Sequence, residues 1–401
     1  MVERQSEPAI DVRLNIVLPP AILRDRQACR ARGQFGGRAV LVGGTDEQNL
    51  LAALAQEACG SITCRSTFMR KLLPCGRTNP RIGGSRFMTR GSHASKGSVT
   101  WHWFSRAPVS SYLVEVSVGN YDLTERTADN GTSYYEAQDD SISPAKQKKN
   151  LAIMNQQEDI TEFESLFSGT YPFTSDGVIV GTPSASFEEE MQTMITFAGG
   201  SIGVSVFYHE NMHQWWGDNV TEANYRYTFY KEGMATLAQL LYKARQAEDA
   251  AGGPYSRKGQ AAFEASLVHQ FDAIYASSAR FWADAPSNPY PFVLFSGDAT
   301  YARPAAAYIA LRQILGPTNF TQALEQIQRE FGGSSIDEAQ LEAAFHQWMP
   351  NQSAGCSSKL DEFFTQWFDT PFPSGTATRP SITGPGLDGG GFYNNGGSCN
   401  P

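Results

Sequence analysis

The mostly apolar run Val204-Ser205-Val206-Phe207-Tyr208 leads directly into His209-Glu210-Asn211, a pattern that suits a buried helix and not one lying on a surface. Gly217 stands where that helix would end in a left-handed cap. Glu232 opens a second helix, in which Met234, Leu237, Leu240 and Leu241 recur at helical spacing. Ala305 to Leu315 predicts a third, with its apolar face at Tyr308, Leu311 and Leu315, and Pro304 breaks or starts it. Phe320 to Phe331 and Ile336 to Trp348 show the same period, and Leu360 to Phe368 reads as a short apolar helix. Strand alternation shows at Ser110 to Asp122, where Tyr112, Val114, Val116 and Val118 take every second position. From Pro371 onward, Pro373, Pro380, Pro385 and the glycines at 389–391 and 396–397 leave little capacity for helix or strand.

A length of 401 residues allows two or three domains with ample core. No run of eighteen apolar residues occurs, so no membrane span is expected. The net charge of -9 argues against general nucleic-acid binding and favours small or peptide substrates. That charge is uneven. Residues 1–100 hold 15 Lys+Arg against 7 Asp+Glu (+8), which leaves 17 against 34 (-17) for residues 101–401. The basic segment also carries Cys29, Cys59, Cys64 and Cys75 and clusters of Gly and Arg. Cys59 and Cys64 lack the second pair that a zinc knuckle needs.

The chemistry concentrates in Tyr208-His209-Glu210-Asn211-Met212-His213-Gln214-Trp215-Trp216-Gly217-Asp218. Residues four apart share one face of a helix, so His209 and His213 can offer two imidazoles to a single metal ion. Eighteen residues separate His213 from Glu232, which supplies a third ligand from the facing helix. Zinc with three protein ligands keeps a fourth position for water and lowers the water's pKa to roughly 7. Glu210, beside the two histidines, is placed to act as the base. A purely structural zinc site is disfavoured by this open three-ligand set beside a glutamate.

HENMHQWWGDNV with KEGMA resembles the aminopeptidase N family of gluzincin metallopeptidases, whose pattern is HExxHxWxG followed by a ligating Glu after an eighteen-residue gap. Trp215 and Gly217 stand at the family's tryptophan and glycine positions. Upstream, Glu190-Met191-Gln192-Thr193-Met194 is similar to a Glu-x-Gln-Thr variant of the exopeptidase motif, with Glu190 preferred over Glu189 in an acidic run of three. Downstream, Tyr301-Ala302-Arg303-Pro304-Ala305-Ala306 resembles the segment holding the family's catalytic tyrosine. The resemblance runs from about Val99 to about Thr370. It implies a zinc aminopeptidase with one Zn2+ on His209, His213 and Glu232. Glu190 would pair with the free ammonium of a peptide, a charge-assisted contact that fixes register, and Tyr301 would donate to the oxyanion. An endopeptidase or an epoxide hydrolase can use the same zinc site, and an incomplete N-terminal domain would leave an inactive zinc-binding or scaffold remnant.

The expected fold class is α+β: a thermolysin-like zinc peptidase domain at 123–370, with a remnant of an N-terminal β domain at 99–122 and a Gly/Pro-rich tail at 371–401. Residues 1–98 read as foreign to the rest, as from a mispredicted start or a frame shift, with Val99 onward the authentic protein. The chain is expected to lack the long helical-repeat domain of many family members. Cys356 and Cys399 are the only cysteines after residue 75 and both lie in loop-like sequence, which predicts a disulfide pinning the tail. Such a bond implies an oxidising compartment, as does the resemblance to secreted bacterial members. The N-terminus has no apolar stretch of signal-peptide type, so the expectation of secretion supposes that the true N-terminus is missing, and a cytoplasmic enzyme is the alternative.

Overall fold

The computed structural model describes residues 107–113, 115–118, 121–181, 188–288, 294–295, 297–383 and 399, with the short strand pieces at 13–14, 39–42 and 101–102. Cys29, Cys59, Cys64 and Cys75, and nearly all of the basic segment, lie outside the described residues. The chain divides into two compact units, Met1–Glu158 with Phe173–Ile202, and Asp159–Pro172 with Gly203–Pro401.

The first unit is built on a five-stranded sheet. Its strands are β1 (Tyr121–Thr127), β2 (Ser133–Asp139), β3 (Ser175–Val180), β4 (Glu188–Glu189) and β5 (Ile195–Phe197), in the order β1-β2-β3-β5-β4. A turn closed by Gly131 N–H on Ala128 O makes β1 and β2 an antiparallel hairpin, in the register Leu123↔Ala137. The chain between β2 and β3 holds α1 (Pro144–Met154) and α2 (Gln157–Ser168), and a helical crossover of that length permits the parallel pairing Glu136↔Val178. All six residues of β3 and residues 133–138 of β2 are buried. Strands buried at consecutive positions lose the polar half of the alternation, which is why period-two reading does not find them. Where alternation does occur, at 110–122, the expected single strand is broken: Ser111–Leu113 form a 3₁₀ turn, Glu115–Val118 a short strand against Ala39–Val42, and Tyr121 starts β1.

The second unit is helical, with one short parallel pair, β6 (Val220–Glu222) against β7 (Ser334–Ile336). Its helices are α3 (Val204–Met212), α4 (Phe229–Ala250), α5 (Arg257–Tyr275), α6 (Ala302–Leu315), α7 (Pro317–Phe331), α8 (Glu338–Gln347) and α9 (Ala354–Phe364). The long α4 packs against α3, α5 and α6. Met234, Leu237, Leu240 and Leu241 are its buried stripe, as their spacing predicts. α6 begins at Ala302 and is buried from Arg303 to Leu315 except at Gln313, so it buries more than the single apolar face expected. The helix expected at Ile336 starts two residues later, because Ile336 pairs in β7 and Asp337 closes a capping box with Gln340. α9 continues from Phe364 into a π-helical turn at Thr365–Asp369.

α4 and α6 approach closely because position 233 has no side chain: a Cβ there would lie 2.5 Å from Pro304 Cβ and 3.0 Å from Tyr308 Cε2. The glycine of KEGMA is therefore a packing requirement. Arg303, fully buried on α6, donates to the carbonyls of Asp284, Gln366 and Thr370 and so ties three distant backbone positions to the helix. Burial lowers its pKa to about 9, against the raising effect of Asp284 and Asp369. In the tail, Tyr275 Oη donates to Pro380 O (2.6 Å), Trp367 Nε1 donates to Ile382 O (2.7 Å), and Cys356 and Cys399 are disulfide-bonded with Cα atoms 5.4 Å apart. No helix among the described residues is long and apolar enough to cross a membrane.

The disulfide and a cluster of half-buried acids both bear on the stability of this unit. Cys356→Ser should lower the thermal midpoint, the bridge over a separation of 43 residues contributing up to about 4 kcal/mol in the chain-entropy model. Glu338 is raised to about 7 by burial and then by the Asp369 charge, and Glu342 to about 8 by burial and then by Glu338 and Asp369. Both carboxyls hold protons more tightly folded than unfolded. They cost nothing below the unfolded value near 4.5, and stability falls as the pH rises through about 7 and 8. Denaturant midpoints from pH 5 to 9 should decline, and Glu342→Gln should flatten the decline.

Candidate metal centre

α3 carries the histidine pair. Phe207 and Tyr208 are buried, and Tyr208 stacks on Tyr242 of α4 (ring centroids 4.4 Å apart), which fixes the rotation of the helix. Asn211 is fully buried and donates to Glu164 Oε2 of α2 at 2.8 Å, a polar anchor beneath the motif. The expected helix end at Gly217 is corrected: α3 stops at Met212, and residues 213–217 are turn and bridge. Gly217 nevertheless has a φ of +126°, and Asp218 N–H reaches back to His213 O at 3.0 Å. The two tryptophans pin this stretch to the end of α2 and the loop after it. Trp215 Nε1 donates to Gly169 O (3.0 Å), and Trp216 Nε1 donates to Ser168 Oγ (3.0 Å).

His209 Nε2 lies 3.3 Å and His213 Nε2 3.4 Å from the same atom, Oε2 of Glu232, which projects from the first turn of α4. The spacing read from the sequence thus brings all three residues together. His213 Nδ1 lies 2.8 Å from Trp216 O. A carbonyl only accepts, so Nδ1 carries the proton and donates, leaving Nε2 of the neutral ring with a bare lone pair. A bare nitrogen facing a carboxylate oxygen is a repulsive arrangement that a cation between them reverses. Two imidazole nitrogens and one carboxylate oxygen are also the donor set suited to zinc. Glu232 is buried, which by itself would raise its pKa. The Lys231 ammonium, with Nζ 3.3 Å from Oε1, is foremost among the groups that outweigh burial and hold the carboxyl well below the usual range.

Glu210 is 6% exposed, and its carboxylate lies within 4.8 Å of ligand nitrogens of His209 and His213. Tyr301 caps the start of α6, and its ring centroid is 6.0 Å from that of His209 at an interplanar angle of 32°. Tyr308, further along the same helix, is fully buried between Phe345 and Phe368 and is a packing residue.

Glu190 belongs to the sheet unit. Glu188 and Glu189 pair in the ladder with Phe197 and Thr196, and both are half-buried, whereas Glu190 is 5% exposed and accepts from Tyr112 Oη at 3.3 Å. Of the acidic run, Glu190 is thus the one removed from solvent. The Met-Gln-Thr turn after it is strained: Thr193 has a φ of +62°, which costs a β-branched residue about 1–3 kcal/mol. Sequence reasoning missed Lys231 and the Trp216 carbonyl. The first is signalled by a cation placed next to a ligand, the second by nothing, because a backbone oxygen has no sequence signature.

The family model for the peptidase family M1 domain matches residues 152–367, more than half of the chain. Aminopeptidase N of Haemonchus contortus is 22% identical over 293 residues, which is 67% of this chain and 28% of that protein. Among solved structures, a point mutant of the M1 zinc metallopeptidase from Deinococcus radiodurans superposes with a TM-score of 0.55 at 20% identity, over 72% of this chain and 62% of that one. The same mutant, bound to a Tyr-Ser-Ala substrate, gives a TM-score of 0.56 at 19% identity, over 73% and 63%. A two-domain M1 zinc metallopeptidase bound to L-arginine gives 0.57 at 19%, over 74% and 62%. The chain therefore spans less than a third of the curated relative and about three-fifths of the solved structures. The fold is α+β and of the kind these peptidases share.

At Gly217, a Cβ would meet Lys231 Cδ at 3.2 Å and His213 Nδ1 at 3.5 Å, on a backbone that L side chains rarely adopt. Gly217→Ala should destabilise the protein by about 1–3 kcal/mol, read as a lower denaturant midpoint with an unchanged m-value.

Proposed function

The chain belongs to peptidase family M1, and from that premise we propose that it is a zinc-dependent aminopeptidase that hydrolyses N-terminal residues from peptides. The observation that carries this reading is the convergence of His209 Nε2, His213 Nε2 and Glu232 Oε2, with the Glu210 carboxylate alongside. In this reading the three residues hold one Zn2+, and the catalytic domain is the stretch at 123–370. The ion, when bound, supplies Lewis acidity toward the scissile carbonyl and makes water a nucleophile at neutral pH.

The protein's own groups do the rest. Glu210 takes a proton from water and later delivers it to the leaving amine. Tyr301 donates a hydrogen bond to the oxyanion that develops on the carbonyl, a contribution of about 2.7–4 kcal/mol for a preorganised donor. The motif resemblance assigns Glu190 to the substrate's ammonium, which selects free N-termini. The disulfide Cys356–Cys399 supports an oxidising compartment, and with it the reading of a secreted enzyme.

The test is turnover of aminoacyl-nitroanilides against their N-acetylated equivalents by the purified full chain. Preference for the free amine is expected. Equal turnover of both, or cleavage of epoxides or internal peptide bonds alone, rejects the aminopeptidase reading. Glu210→Gln should retain zinc and lose roughly 10² to 10⁴ in kcat, whereas His213→Ala should lose the metal. Tyr301→Phe should lower kcat with little change in KM, and Glu190→Ala should raise KM for free peptides.

A further inference from the structure

Lys231 breaks two local rules. It is 4% exposed, and it sits in the first turn of α4, where the helix dipole disfavours a cation. Its stem runs over Gly217, close enough that a Cβ at 217 would lie 3.2 Å from Cδ. Its ammonium ends 3.3 Å from Glu232 Oε1 and 6.0 Å from the centroid of the Phe295 ring. Adjacent helical residues do not ordinarily face one another. The Lys231 side chain nonetheless reaches its neighbour. Residues that violate local preferences in this way concentrate at functional sites.

Glu232 divides its two oxygens. Oε2 faces the imidazoles of His209 and His213, and Oε1 faces Lys231. A carboxylate with both oxygens free binds a cation in either one-oxygen or two-oxygen fashion, and only the one-oxygen form leaves a three-ligand zinc site a full open position for water and substrate. We propose that Lys231 is a positioning residue that holds Glu232 Oε1, so that Glu232 offers the metal Oε2 alone. The proposal rests on the zinc-site reading above. Its physical basis is twofold. The ammonium competes with the metal for Oε1, and its charge in a buried site opposes that of the divalent ion. Lys231 thus gives up metal affinity to keep the coordination open.

The test loads the full chain with Co2+ in place of zinc and reads two quantities, the visible d–d absorption and the rate of metal release to a chelator. Lys231→Met keeps the stem without the charge. Its absorption should weaken, as the second oxygen raises the coordination number, and its metal release should slow about tenfold. Lys231→Arg should keep the wild-type spectrum. Loss of packing alone would lower the thermal midpoint and speed release, so it cannot imitate this result. A folded Lys231→Met with wild-type absorption, or with release unchanged or faster, overturns the proposal. Should Lys231→Met fail to fold, Lys231→Gln carries the same expectation of slower release and the same refutation. A wild-type chain that binds neither Co2+ nor zinc overturns the zinc reading instead.

Discussion

A buried carboxylate set between two imidazoles and an ammonium is the constraint around which the helical unit is arranged. Removing Glu232 from water is unfavourable unless its charge is answered: Lys231 answers it from α4 at Oε1, while His209 of α3 and His213 of the turn after it meet it at Oε2. Each demands a backbone position. His213 holds its tautomer only because Trp216 turns a carbonyl toward Nδ1, and Trp216 is placed there by its own bond to Ser168. Lys231 passes only because position 217 lacks a side chain, and Tyr301 comes near His209 only because Gly233 lets α6 lie against α4. The apolar core of the unit and its polar site are therefore specified together.

That coupling explains which parts are legible in the sequence. His209, His213 and Glu232 are legible because the i, i+4 spacing and an eighteen-residue gap are properties of helices, and helices are local. The apolar stripes of α4 and α7 are legible for the same reason. β2 and β3 are not, because strands buried at consecutive positions carry no alternation. The end of α3 is misread because Gly217 has the left-handed backbone of a helix stop, while the turn it closes begins earlier, at His213. Ile336 is drawn into a helix by its apolar character, although its pairing partner, Glu222, belongs to a strand far upstream in the chain.

The polar residues repeat the lesson. Sequence ranks Glu190 above Glu189 only by likeness to a motif, whereas the structure distinguishes them by burial: two lie in a ladder and one beyond it accepts from Tyr112. Arg303 follows Tyr301 by two residues, and it is fully buried with three carbonyls around its guanidinium. Nothing in the local sequence announces that those carbonyls, drawn from positions 63 and 67 residues downstream and 19 upstream, meet at one point.

The bond between Cys356 and Cys399 joins the first turn of α9 to the far end of the tail. Exposed loops are where foreign proteases cut. A nick anywhere between those two cysteines would leave both fragments covalently joined, with the tail still seated by Tyr275 and Trp367. A molecule so tethered outlasts its own cleavage: it migrates as one species until a reductant is added, and its polypeptide need not be continuous for its helices to stay assembled.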